Sequence, residues 1–447
     1  MGVSVTNGTE GSKQAISEYN HLIATLREKK GLGLNEEEQN CLESLQNWLS
    51  KLQRDSSTDD EEMLDEGSRA YLHSFRDNFT RYSLFQRGHG EVVGNSPKVP
   101  SVARDRLDPS ASPSLAAEFE KMEEWDAFDV NRVTQLTQGR PLEAVALEVL
   151  HRFNLLQKLR LPKQKLRSFL REVEATYRRS NPYHNSTHAA DVVQGLACMF
   201  AQNSFMAQLT DLEMLSMILA CVMHDAGHPG LTNEYLINTD SPAALTYNDR
   251  SINENGHAAL AFGILLKDSN NFLEGLHNEE YRFVRRTIIS IILATDMCDH
   301  SRLTKDFAGG VRAFGNDLEA WPEEQRQRAL QMIVHACDIG NPAKSLDSSL
   351  LWSERILAEN FAQGDRERAE GMPVSPLCDR HKVDVPKSQI TFLEYVVRPT
   401  FEALRDFAPA TAARALGNTE AARSHWERSQ LRMRQQLSAS LFPMDDV

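Results

Sequence analysis

CVMHDAGHPG, residues Cys221 to Gly230, follows TDLEMLSMILA, residues Thr210 to Ala220, in which nothing after Glu213 is charged. A segment that is apolar on every side predicts a buried helix. Such a helix should not end on His224, Asp225 and His228, because an uncompensated buried charge is expensive. Thr210 with Glu213 reads as a capping box at its start, and Gly227, Pro229 and Gly230 supply its end. A second apolar segment, MIVHACDIGNP (Met332 to Pro342), also ends on an acid, Asp338, before Gly340 and Pro342. Two buried helices that each end in a carboxylate point to a shared polar centre.

Working outward, NPYHNSTHAADV (Asn181 to Val192) carries His184 and His188 four residues apart. With Pro182 as the helix entry, both imidazoles would share one helix face and could aim at one centre. A pair of surface or capping histidines is the plainer reading of that spacing alone. From 115 to 432 the pattern is helical almost throughout, and Ser251 with Glu254 reads as a further capping box. There is no internal repeat, Walker loop or GxGxxG. These features predict an all-α, compact multi-helix catalytic domain over 115–432, with a C-terminal tail over 433–447.

Residues 88–114, rich in Pro, Gly and Ser, read as a linker. The region before it, 1–87, holds three short amphipathic patterns: Ile16 to Leu26, Leu42 to Leu52, and Leu72 to Tyr82. They could pair with one another, with the main domain or with a second copy of the chain, so this region is expected to be regulatory or to form a homodimer. Met1-Gly2-Val3-Ser4-Val5-Thr6 fits an N-myristoylation pattern. A single acyl chain on Gly2 would tether only weakly, and an ordinary N-terminal tail is the plainer reading.

Composition narrows the class. The 447 residues are 41% hydrophobic and 25% charged, as expected of a soluble globular protein. The net charge of −14 argues against nucleic acid as a partner, which would need a basic face. The longest apolar run, Met214 to Met223, is too short to be a transmembrane segment, and no signal peptide is evident. The six cysteines form no CxxC pair, which suggests free thiols in the cytoplasm. Imidazoles and carboxylates together suit zinc and, with more oxygen and water, magnesium or manganese. Cys221 and Cys337 are expected to fill core.

The order His188, His224-Asp225, Asp338 resembles the catalytic domain of class I 3′,5′-cyclic nucleotide phosphodiesterases, a branch of the HD-type metal-dependent phosphohydrolases. The similarity runs from WDAFDV, beginning at Trp125, to HWERSQ, ending at Gln430. It rests on NPYHNSTHAADV, HDAGHPGLTN, YNDRS, LATDM, DIGNP, QGDRERAEGMPVSPLCDRH and KSQITFLEYVVRP in one order.

The resemblance implies hydrolysis of cyclic nucleotides, cAMP before cGMP, to nucleoside 5′-monophosphates. It implies a first metal, commonly Zn2+, on His188, His224, Asp225 and Asp338, and a second, Mg2+ or Mn2+, bridged by Asp225. Hydroxide generated between the two would attack phosphorus, and His184 would act as general acid to O3′. His228, Asn233, Glu254, Thr295 and Asp296 would support the metals and their water through hydrogen bonds. Gln389 would bind the base between Phe392 and Ile356, with Asn341 and Tyr183 lining the pocket. Without the resemblance, Phe392 and Ile356 read as core.

The chain departs from the family pattern at two places. Ala226 follows the HD pair where a large apolar residue is usual, and Gly256-His257 stands where two histidines are usual. These departures keep open a catalytically weak relative that binds cyclic nucleotide or serves as a scaffold. An HD phosphohydrolase acting on linear nucleotides is a third reading, disfavoured by the spacing of Gln389 and Phe392.

Overall fold

The computed structural model describes residues 112–201 and 207–441, with side chains through 432. The N-terminal helical patterns, Gly2 and the linker up to 111 lie outside the described residues. Among the described residues every regular element is helical, as the sequence predicts, and no helix is long and apolar enough to cross a membrane.

Three helices form the centre: Ser186–Phe200, Asp211–Met223 and Glu323–Asp338, each packed against the other two. The Asp211 helix is buried at every residue from Glu213 to Met223, as its unbroken apolar run requires. Asn278–Leu293 lies against it, and Pro141–Arg152 lies against the Ser186 helix. Leu346–Ala369, Val385–Phe392 and Pro409–Leu441 close the C-terminal side. His188 sits in the first turn of its helix, His224 just past the end of the Asp211 helix, and Asp338 on the last residue of its own.

Polar residues at the helix starts fix how these helices meet. The Thr210 hydroxyl accepts from the Glu213 N–H, and Glu213 accepts from the Thr210 N–H at 2.8 Å. The Arg326 guanidinium donates to both Glu213 oxygens, at 2.6 and 2.7 Å, and so ties the start of the Asp211 helix to the Glu323 helix. Trp125 donates to the Ala343 carbonyl at 2.8 Å and meets Phe401 edge-on, pinning the N-terminal part of the domain beside DIGNP.

Three sequence-based expectations need correction. Ser251 forms no capping box: its φ is +41°, its side chain makes no cap hydrogen bond, and its hydroxyl donates to Asp296 at 2.8 Å. The linker does not extend to 114, because a helix begins at Pro113, where a missing N–H and a fixed φ suit the first turn. The last helix runs to Leu441 rather than stopping at 432, since RMRQQLSASL contains neither Gly nor Pro to end it.

Two helical glycines predict opposite outcomes. A Cβ on Gly364 would lie 1.9 Å from the Cys378 carbonyl oxygen, whereas one on Gly263 would meet nothing within 4 Å. Gly364→Ala should therefore lower stability by about 2–3 kcal/mol, and Gly263→Ala should raise it by up to about 1 kcal/mol. Urea denaturation followed by circular dichroism reads both. A Gly364→Ala variant as stable as the parent would contradict the close approach.

Candidate metal centre and active site

The first cluster is built by the helix ends just described. His188 Nε2 lies 3.0 Å from Asp338 Oδ1 and 3.4 Å from His224 Nε2. Asp225 Oδ2 is 3.2 Å from His224 Nε2 and 3.6 Å from His188 Nε2. His224 Nε2 is 3.3 Å from Asp338 Oδ1. Both histidines are fully buried.

The His224 Nδ1–H donates to the Cys221 carbonyl at 2.8 Å, which leaves the Nε2 lone pair facing inward. Asp225 Oδ2 is buried without a hydrogen-bond partner. Two ring nitrogens and two carboxylate oxygens that converge in this way fit a divalent cation. Tetrahedral ligands about 2.05 Å from zinc would lie roughly 3.3 Å apart, close to the spacings seen. Two of the three helices meet here at their C-termini, whose dipoles also favour positive charge.

A second group, His184, Asp225 and His228, places its ligand atoms within 4.8 Å of one another. His184 is not on the helix that its spacing to His188 suggests. That helix starts at Ser186, with Asn185 as the cap accepting from the N–H groups of Thr187 and His188. Pro182 therefore precedes the helix, and His184 sits in the approach loop.

Glu359, missed in the sequence, holds that loop. Its carboxylate accepts from the N–H groups of Tyr183 and His184, at 3.0 and 3.1 Å, and pairs with His184 Nδ1. The available signal was its place on the face of Leu346–Ala369 that carries Trp352 and Ile356. Asn181, also missed, donates to the His184 and His228 carbonyls at 3.1 and 2.9 Å. A Cβ on Gly230, whose φ is +75°, would lie 2.9 Å from Asn181 Oδ1.

The histidines divide by charge. Burial alone would lower the His184 pKa, but Asp225 and Glu359 outweigh it and the net direction is up. The His228 ring stacks on His184 at 4.0 Å and His257 lies 5.4 Å beyond. Burial pushes both down, His257 to about 4, and a charged His184 pushes the same way. Within this stack the neighbouring acids favour charge on His184, and burial disfavours it on the other two rings. Asp225 and Asp338 are held below the carboxylate range against burial, with His224 the leading opposing cause for each.

Asn233 donates to Glu254 at 3.0 Å. Burial, against that bond, lifts Glu254 to about 7, and Asp296 and Asp225 add to the rise. Asp296 accepts from Ser251, and the Thr295 hydroxyl donates to its own helix at the Ile292 carbonyl. The Ala226 carbonyl accepts from His257 Nδ1 at 2.8 Å.

Gln389 Oε1 accepts from the Ser353 hydroxyl at 2.9 Å. Ile356 lies three residues along the same helix face, and Phe392 ends the helix that carries Gln389. Tyr183 packs against His188 at 4.6 Å and Trp352 at 5.6 Å. Asn341 pairs with Tyr183. It is fully buried, accepting from the Tyr183 hydroxyl and donating to Asp191, both at 2.6 Å. Asp191 in turn lies 3.4 Å from buried Lys344, which donates to Gln194 at 2.5 Å.

Residues 183–416 match the family model for 3'5'-cyclic nucleotide phosphodiesterase, a span that includes every site residue from Tyr183 to Phe392. The chain is 39% identical over 316 residues to the 3',5'-cyclic-AMP phosphodiesterase 4C of Rattus norvegicus, covering 68% of this chain and 58% of that one. It is 37% identical over 290 residues to the probable 3',5'-cyclic phosphodiesterase pde-1 of Caenorhabditis elegans, covering 64% and 42%. The chain spans about half the length of the curated relatives it matches. Among solved structures, it resembles the phosphodiesterase domain of the RhoPDE fusion protein from the choanoflagellate Salpingoeca rosetta. There the TM-score is 0.62 and the identity 32%, over 66% of this chain and 92% of that one. With the helical fold and the His/Asp centre, these matches establish that the chain belongs to the class I 3′,5′-cyclic nucleotide phosphodiesterase family.

Proposed function

We propose that this chain hydrolyses 3′,5′-cyclic nucleotides to nucleoside 5′-monophosphates, cAMP ahead of cGMP. The observation that carries the reading is the cation-shaped His/Asp centre with the His184 imidazole beside it, the His184 and His188 rings being 6.0 Å apart. His188, His224, Asp225 and Asp338 would hold the first cation, assigned as Zn2+. Asp225 would share the second, assigned as Mg2+ or Mn2+. Bound divalent cations supply water activation at neutral pH and charge neutralisation on the phosphoryl oxygens.

Hydrolysis adds water across the P–O3′ bond: a new O–P bond forms, P–O3′ breaks, and O3′ needs a proton. His184 is assigned as the donor rather than as a ligand, because a protonated ring offers no lone pair. With Nδ1 tied to Glu359, its Nε2–H is the group left to reach O3′. Asn181 and Glu359 fix the backbone and ring of His184, so the proton is delivered from a set direction. Gln389, oriented by Ser353, would read the base edge while Phe392 and Ile356 take its two faces. The preference for cAMP follows the rat relative, whose name specifies cyclic AMP.

Protein supplied with magnesium should turn over cAMP faster than cGMP in a 5′-monophosphate assay. Asp338→Ala should abolish turnover, and Gln389→Ala should raise KM by on the order of tenfold. Binding of cAMP without any turnover would instead favour the nucleotide-binding or scaffold role.

Glu359→Gln should lower kcat by roughly 100-fold, with KM changing far less, since it disturbs the proton donor and spares the ligand set. An unchanged kcat would remove Glu359 from the mechanism.

Stripping the protein with a chelator and restoring Zn2+ should raise Tm, as binding to the folded state alone adds about 2.7 kcal/mol at 100 times Kd. His224→Ala should show no such rise. An equal rise in that variant would place the zinc elsewhere.

A further inference from the structure

The loop between Tyr177 and Asn185 carries a serine that the proposed reaction does not use. Arg178, Arg179 and Ser180 are consecutive and all exposed. They form a tight turn closed by the Asn181 N–H donating to the Arg178 carbonyl at 3.1 Å, so Ser180 stands near its tip. The Arg179 guanidinium donates to the Gly139 carbonyl at 3.3 Å.

The residues flanking the turn point inward. The buried Tyr177 hydroxyl donates to the Val222 carbonyl at 3.0 Å and accepts from the Asp225 N–H at 3.3 Å, bridging the end of the Asp211 helix. Asn181 is the residue that ties the His184 and His228 carbonyls together.

We propose that Ser180 is a phosphorylation site for a serine/threonine kinase that selects basic residues on the N-terminal side of its acceptor, and that phosphate there slows the enzyme. The regulatory half rests on the hydrolytic reading of the site. In the transfer, Ser180 Oγ forms a bond to the γ-phosphorus of ATP. The bond from that phosphorus to the β,γ-bridging oxygen breaks, ADP departs, and the hydroxyl proton passes to the kinase's base. Two exposed guanidiniums just before the acceptor give such a kinase the charge pattern it reads, and exposure gives it access.

The product dianion would draw the exposed Arg178 guanidinium toward itself. It would also compete with the Gly139 carbonyl for Arg179. Both effects pull on a turn held between Tyr177 and Asn181, and through them on Asp225, His184 and His228.

The test treats the full chain with ATP, magnesium and the catalytic subunit of a kinase of this class. Peptide mapping, amide hydrogen exchange and nucleotide turnover are then compared. The expected result is one phosphate on Ser180, faster exchange over 177–185 and 222–230, and turnover reduced about fivefold or more. All three should be absent in Ser180→Ala, which otherwise keeps the basal rate, and reversed by a phosphatase. Absence of phosphate on Ser180, while a basic reference peptide is fully modified, overturns the site. Phosphate with unchanged exchange and turnover overturns the regulation. Should the untreated chain hydrolyse no cyclic nucleotide, the hydrolytic reading fails separately, and mapping with exchange still decides this proposal.

Discussion

His188, His224, Asp225 and Asp338 meet at a point where three mutually packed helices end, with successive ligand atoms between 3.0 and 3.6 Å apart. Burying two carboxylates and two imidazoles this closely is unfavourable unless each charge is balanced nearby. The arrangement therefore constrains everything around it. The apolar helices can end only where a cation or its proton substitute offsets the carboxylates, and His188 and Asp338, 150 residues apart in the chain, must arrive together. The capping box at Thr210 and the Arg326 clamp on Glu213 set the far end of the central helix, and so where His224 and Asp225 finish.

A second layer holds the reagents rather than the cation. Glu359 takes three contacts from Tyr183 and His184. Asn181 binds the carbonyls of His184 and His228, and Tyr177 bridges the frayed helix end at Asp225. Stacking His184, His228 and His257 face to face would be repulsive if more than one were charged. Asp225 and Glu359 favour charge on the first ring, and burial keeps the other two neutral. The two acids and the burial together favour charge on one ring over the other two, which suits the proton donor proposed above.

The sequence makes the helical class and the convergence of buried His and Asp residues legible because both depend on local signals. These are apolar runs without a polar face, Gly and Pro at helix ends, and acids where no acid should be. It misleads where a local signal has two readings. Ser251 with Glu254 has the spacing of a capping box, but each side chain has a stronger tertiary partner, Asp296 and Asn233 respectively. His184 and His188 have helical spacing, but Asn185 is the better cap and starts the helix one residue after His184. Glu359 stayed hidden because an acid within a long amphipathic helix usually faces water, and only the docking of the His184 loop buries it. The partners of Asn341, the Tyr183 hydroxyl and the Asp191 carboxylate, are 158 and 150 residues away, so no local pattern announces them.

The two departures from the family pattern fall where side chains contribute little. Ala226 is buried, but what it supplies to the site is its backbone carbonyl, the acceptor for His257, and any residue provides that. Gly256 lies in a helix, where glycine costs about 0.5–1 kcal/mol relative to alanine. The nearest side-chain atom to a Cβ there is Tyr247 Cε2, at 3.9 Å, so the missing imidazole leaves accessible space rather than a buried void. His257, the histidine that remains, is the one facing inward, with Nε2 3.8 Å from Asp225 Oδ1. Neither change removes a ligand atom, a clamp on His184 or a contact that orients Asp225. The intact His/Asp cluster therefore supports the proposed hydrolase over a scaffold.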